Sequence, residues 1–132
     1  MSQENVEIVR RVLDAFNRRD EEGMLADLHP EVEWVNPPDA VEPGIRSGHE
    51  EFAGAMQAVV DTFEDTHVEV HEAVDAGDQV VVVAKLRGRG RESGVDFDVW
   101  LSYVFTFRDG KAARFEWFNS PTQAFEAAGL RE

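Results

Sequence analysis

The sequence predicts an α+β fold, with N-terminal helices packed on a curved, mainly antiparallel sheet. Apolar residues recur at steps of three and four in the first third of the chain. From Thr66 onward the period changes to two and stays there. The turns between the later apolar runs are short, so those strands pair antiparallel with their sequence neighbours. Helices first and a meander afterwards is an α+β order, with the helices on one face of the sheet. A chain of 132 residues suits one domain, 1–132.

In the first segment Val6, Val9, Leu13 and Phe16 share a helical face, and Ser2 is placed to cap it. Asp20 can cap a short second helix carrying Met24, Leu25 and Leu28, which must stop before His29-Pro30. Glu31 to Asn36 reads as a strand with Val32, Trp34 and Asn36 on one face. A loop runs from Pro37 to Gly44. Ser47-Gly48-His49-Glu50 has the form of a capping box, in which Glu50 reaches back to Ser47. The helix behind it carries Phe52, Met56, Val59 and Phe63, and His49 reads as a surface residue near its start. Four strands follow, Thr66 to Val74, Gln79 to Arg89, Val95 to Phe107 and Lys111 to Phe118. A last short helix opens with Ser120-Pro121-Thr122-Gln123 and ends at Gly129.

Composition narrows the function. Thirteen Lys and Arg against 27 Asp and Glu give a net charge of −14, a field that repels nucleic acid and anionic lipid. With no Cys, disulfides, thiolate metal sites and a Cys nucleophile are excluded. The N-terminus is polar, without the apolar region of a signal peptide, and no apolar run is long enough to span a bilayer. A soluble, cytoplasmic protein is expected, with neither nucleic acid nor membrane as partner. Gly88-Arg89-Gly90 lies between strand and turn, so it is no dinucleotide loop, and no G-x-S-x-G elbow occurs. His29, His49, His67 and His71 lack metal-ligand spacing, and no metal or cofactor is expected. Nine Phe and three Trp suit a wide core or a ligand cavity.

Several local features share one order. Ala15-Phe16-Asn17-Arg18-Arg19-Asp20 joins two helices, and Leu28-His29-Pro30-Glu31-Val32-Glu33-Trp34 enters the first strand. Glu42-Pro43-Gly44-Ile45-Arg46-Ser47-Gly48-His49-Glu50 leads into the third helix, and Phe105 to Lys111 forms the last hairpin. Across the whole chain this resembles the SnoaL-like and ketosteroid-isomerase-like members of the nuclear-transport-factor-2-like superfamily. The resemblance implies a cone: the sheet wraps the helices, its concave face lines a pocket, and its convex face forms a homodimer. It also implies a small apolar, cyclic ligand or substrate, turned over by a cofactor-independent isomerase, cyclase or hydrolase, or merely bound by a non-catalytic module; the alternative is a dimeric interaction protein whose convex face is the functional part.

Parity assigns the faces. In the long strand the odd positions Phe97, Val99, Leu101, Tyr103, Phe105 and Phe107 are apolar or aromatic and are expected inward. Phe115, Trp117 and Asn119 follow suit in the last strand. Carried over from the ketosteroid-isomerase pattern, the base position holds Asn36, the helical Tyr position holds Val12, and the protonated Asp position holds Tyr103. That departure argues against proton abstraction beside a carbonyl in the isomerase manner. The candidate catalytic residues are therefore Tyr103, to polarise an oxygen, Asn36, to orient it, and Asp39, a loop carboxylate that can swing in as base. The candidate ligand-binding residues are Trp34, Phe16, Phe52, Met56, Leu101, Phe115, Trp117 and Asn119. Glu42 shares the loop over the expected pocket mouth. Trp100 and Val104 are expected on the convex dimer face. Lys85, Arg87, Arg89 and Arg91 form an alternating basic stripe, either ion-paired within the molecule or open to an anionic partner.

Overall fold

A computed structural model describes residues 2–38, 40 and 42–130, the side chain of Ser2 excepted. Helices α1 (Ser2–Asn17) and α2 (Glu21–Ala26) precede strands β1 (Leu28–Asn36) and β2 (Gly44–Ser47). Helix α3 (Gly48–Thr62) leads into β3 (Phe63–Asp75), β4 (Gln79–Gly90), β5 (Asp96–Arg108) and β6 (Lys111–Phe118), and α4 (Pro121–Ala127) follows. The six strands form one sheet in the order β2-β1-β6-β5-β4-β3. Every pairing is antiparallel except β1 with β6. Register shifts interrupt β1, β3 and the β5–β6 ladder. Such bulges bend strands, and here they curve the sheet around α1 and α3.

Local chemistry accounts for the element ends. The Asp20 carboxylate accepts a hydrogen bond from the Gly23 amide at 2.9 Å and starts α2. The Ser120 hydroxyl accepts from the Gln123 amide at 3.2 Å, with Pro121 in the first turn of α4. Asn17 acts across the fold. Its Nδ2 donates to the Val68 carbonyl at 2.9 Å, and its Oδ1 accepts from the Val68 amide at 2.8 Å. Arg19, at φ +60°, donates to the Thr66 carbonyl at 3.0 Å. Together they satisfy backbone groups of Thr66 and Val68 on the open edge of β3, one of the two outermost strands, which would otherwise be offered to another chain.

The main core lies between the concave face and the helices. Val9, Val12 and Leu13 of α1 and Phe52 and Met56 of α3 pack on Val80, Val82, Phe105 and Phe115, all buried. Val32, Trp34, Leu101, Phe107 and Phe115 join this cluster, so the inward faces of β1, β5 and β6 are those that parity predicts.

The structure corrects the sequence reading in five places. Residues 44–47, read as loop and cap, form β2 against β1. Leu28 and Phe63, placed on helices, begin β1 and β3 instead. The α3 capping box is displaced: Gly48 adopts φ +89°, the Ser47 side chain makes no cap bond, and Glu51 rather than Glu50 accepts from the Ser47 amide at 2.7 Å. His49 is partly buried, and its Nε2 donates to the Leu28 carbonyl at 3.0 Å. Finally, α4 packs on the opposite face of the sheet from α1 and α3. A second small cluster of Val81, Val104 and Ala124 lies beneath it, with Phe118 and Phe125 alongside. Val104 is therefore covered by the chain's own terminal helix and is no part of an exposed convex face.

Candidate functional site

The concave face changes character along β5. Phe105 is 0 % exposed, Tyr103 is buried, Leu101 is half-buried and Val99 is 42 % exposed. The inner end is packed ring on ring. Trp34 meets Phe52 edge-on at 5.0 Å and Phe115 at 4.8 Å, while Phe115 meets both Tyr103 and Phe105 at 5.2 Å. These rings converge because Phe115 stands beside Trp34 on one flank and Phe105 on the other, and Tyr103 stands beside Trp117. Met56 lies one helical turn after Phe52 and is buried with it. Phe16, Leu101, Trp34 and Trp117 remain only partly buried at the margin of the cluster.

Two polar features sit among these rings. Tyr103 is the chain's only tyrosine, and its hydroxyl makes no hydrogen bond to any described residue. Burial pushes its phenol well above the ordinary value, so at neutral pH it is a protonated donor. Asn36, at the end of β1, is fully engaged at its oxygen. Oδ1 accepts from Trp34 Nε1 at 2.8 Å and from Trp117 Nε1 at 2.6 Å, while Nδ2 donates to the Glu42 carbonyl at 2.8 Å. An indole nitrogen only donates, so the amide orientation is fixed by its partners.

The structure thus brings together Trp34, Asn36, Phe52, Met56, Tyr103, Phe115 and Trp117, with Phe16 and Leu101 at the margin. Asn119 does not join them: it lies beyond the end of β6, exposed. Asp39 falls outside the described residues. The Glu42 carboxylate pairs with Arg46 at 3.1 Å. The contribution of Glu42 to the site is its backbone carbonyl, which carries no residue-type signal. The Trp34-x-Asn36 spacing, two residues on one strand face, does signal the bond from the Trp34 indole.

Two open clefts lie elsewhere. One of about 500 Å³ runs between α1 and the β5–β6 turn, at Glu7, Ile8, Arg11 and Phe107. One of about 610 Å³ lies at His67, Arg87, Arg89, Phe97 and Asp98. Neither includes Trp34, Asn36, Tyr103 or Trp117. Charged residues wall both, and several are already paired: Arg11 with Asp27 at 3.0 Å and Arg89 with Asp96 at 2.8 Å. Of the two hydroxyls without a partner, that of Ser102 is sealed on the other face of β5, whereas that of Tyr103 lies at the concave end, so chemistry favours this end over cleft size.

On the convex face Lys85 pairs with Asp98 at 3.5 Å, Arg89 with Asp96, and Arg91 with Glu64 at 3.5 Å. The basic stripe is largely neutralised within the molecule. Trp100 stands 48 % exposed between His71, 4.6 Å away, and the Lys85 ammonium, 5.1 Å away. No helix among the described residues is long and apolar enough to cross a membrane.

No curated protein matches the chain. Among solved structures, a nuclear-transport-factor-2-like protein of unknown function from Burkholderia pseudomallei is 26 % identical, with TM-score 0.80, covering 93 % of this chain and 95 % of its own. TerC, crystallised with polyporic acid, is 27 % identical, with TM-score 0.79, covering 96 % of this chain and 98 % of its own. A proposed SnoaL-like polyketide cyclase from Jannaschia sp. CCS1 shares the fold at 21 % identity and TM-score 0.81, over 99 % of this chain and 95 % of its own. The SnoaL-like domain model matches residues 9–115, well over half of the sequence, and the chain belongs to that family.

Proposed function

We propose that this is a small-molecule pocket protein that holds a flat, uncharged, hydrophobic ring compound at the open end of its concave face. One observation carries the reading: a buried phenol with an unspent hydroxyl, set among aromatic rings that continue outward to half-buried Leu101 and Trp117. The Tyr103 hydroxyl is not among the sealed groups without a partner, so it faces the open end, where a ligand oxygen can take the place of water. The inward positions Val32, Trp34, Leu101, Tyr103, Phe115 and Trp117 carry no ionisable group except that phenol, which suits a neutral guest. The binding of polyporic acid by a 27 %-identical relative supports a small-molecule role for this fold.

Turnover as an isomerase, cyclase or hydrolase would use Tyr103 as the donor to an oxygen gaining negative charge. The base would come from the loop at Asp39, because the Asn36 oxygen is already spent on two indoles. Titration calorimetry with acetylnaphthalene tests the site. Tyr103→Phe should bind about tenfold more weakly than wild type. Equal affinity of the two proteins removes Tyr103 from the site. In a panel of cyclic ketones, a variant that binds unchanged yet loses turnover marks an enzyme, and one that loses affinity alone marks a binding module.

The proposal extends to assembly. Trp100, exposed on a charge-compensated strip of a strongly acidic protein, is the proposed centre of a homodimer contact. Sedimentation of Trp100→Glu should then give a monomer where wild type gives a dimer.

A further inference from the structure

We infer that Asn36 is a positioning residue that fixes both pocket indoles and is itself left with only an N–H donor to offer, so that the site selects an uncharged acceptor such as a ketone. This rests on the reading of the concave end as the ligand site.

The argument starts from valence. An amide oxygen has two lone pairs, and here Trp34 and Trp117 take one each, at 2.8 and 2.6 Å. Asn36 and Trp117 are 81 residues apart, so one side chain ties the inner faces of β1 and β6 together at the site. Both indole N–H groups are consumed, and neither ring can offer its nitrogen to a guest. Of the two Asn36 N–H groups, one donates to the Glu42 carbonyl, and the other is left over by the described contacts. The Tyr103 hydroxyl adds a second unspent donor. The cation beside Trp34 on this face, Arg46, is already paired with the Glu42 carboxylate at 3.1 Å, and the whole chain carries −14, so an anionic guest is opposed on both counts. A neutral carbonyl oxygen, with two lone pairs of its own, fits what remains.

The test has two arms. In the unliganded protein, exchange of the three indole N–H signals is followed by NMR, with Trp100 as the internal control. Two signals should be protected in wild type, lost from protection in Asn36→Leu, and restored in Asn36→Asp, which keeps the acceptor. In the second arm, wild type should bind acetylnaphthalene about tenfold more tightly than naphthalene or naphthoate. Asn36→Asp replaces the donor by an anionic acceptor, and it should reverse the order in favour of naphthylmethylammonium. Indoles that exchange freely in wild type overturn the role given to Asn36. Equal affinity for naphthalene and its ketone overturns the selectivity while leaving the ligand site standing. Failure of every probe to bind overturns the site itself and the selectivity with it.

Discussion

The two faces of β5 carry their side chains to different ends. On the concave face aromatic rings stack from Phe105 outward to Leu101, and one phenol is left without a partner. On the convex face the exposed charges are matched pairwise across strands, Lys85 with Asp98 and Arg89 with Asp96, the buried part lies beneath α4, and the hydroxyl of Ser102 is sealed without a partner. Satisfied polar groups are structural, whereas an unsatisfied donor at the margin of an apolar cluster marks a place for something else. The contrast also separates core from wall on the concave face, where composition alone does not. Phe105 and Val99 are both apolar and share that face, yet one is sealed and the other is 42 % exposed.

The largest effect that can break this comparison is at the sealed end. Phe105→Ala should cost about 3–5 kcal/mol in urea unfolding, because Tyr103 and Phe115 both rest on that ring. A loss below about 1 kcal/mol would mean that the inner end is a loose wall rather than a core. Next is the sheet edge: Asn17→Ala should cost about 2 kcal/mol, since two backbone groups of Val68 lose their partner at once.

Tyr103 sets a pH window. Its folded pKa lies above the ordinary value, so the unfolded chain releases the proton first as pH rises. The native state then holds more protons, and stability, intact below about pH 10, falls by about 1.4 kcal/mol for each further pH unit. Unfolding curves of wild type and Tyr103→Phe between neutral and strongly alkaline pH should diverge only above about pH 10. The smallest effect belongs to the convex face. Asp98→Asn should change stability by no more than about 0.5 kcal/mol, the ordinary range for an exposed pair.

Much of this was legible in the sequence, for reasons that are local. Alternation in residues 95–107 assigned the faces of β5, Asp20 and Ser120 marked two helix starts, and Trp34 and Asn36 fell on one face. What stayed hidden was non-local. The parallel pairing of β1 with β6 leaves no mark in either strand, so the bond from Trp117 to Asn36 could not be read. Val104 looked exposed because parity shows which face a residue takes, not what covers that face. Asn119 was misplaced by extending the alternation one residue beyond Phe118, where β6 ends.

A single tyrosine makes the central claim directly measurable. With the Tyr103 ring carbon that bears the hydroxyl enriched in ¹³C, one NMR signal reports both the protonation and the hydrogen bonding of that group. The account predicts a signal that stays at the protonated position beyond about pH 10 and moves when acetylnaphthalene is added at neutral pH. A signal that titrates near pH 10 and ignores the ketone would contradict it.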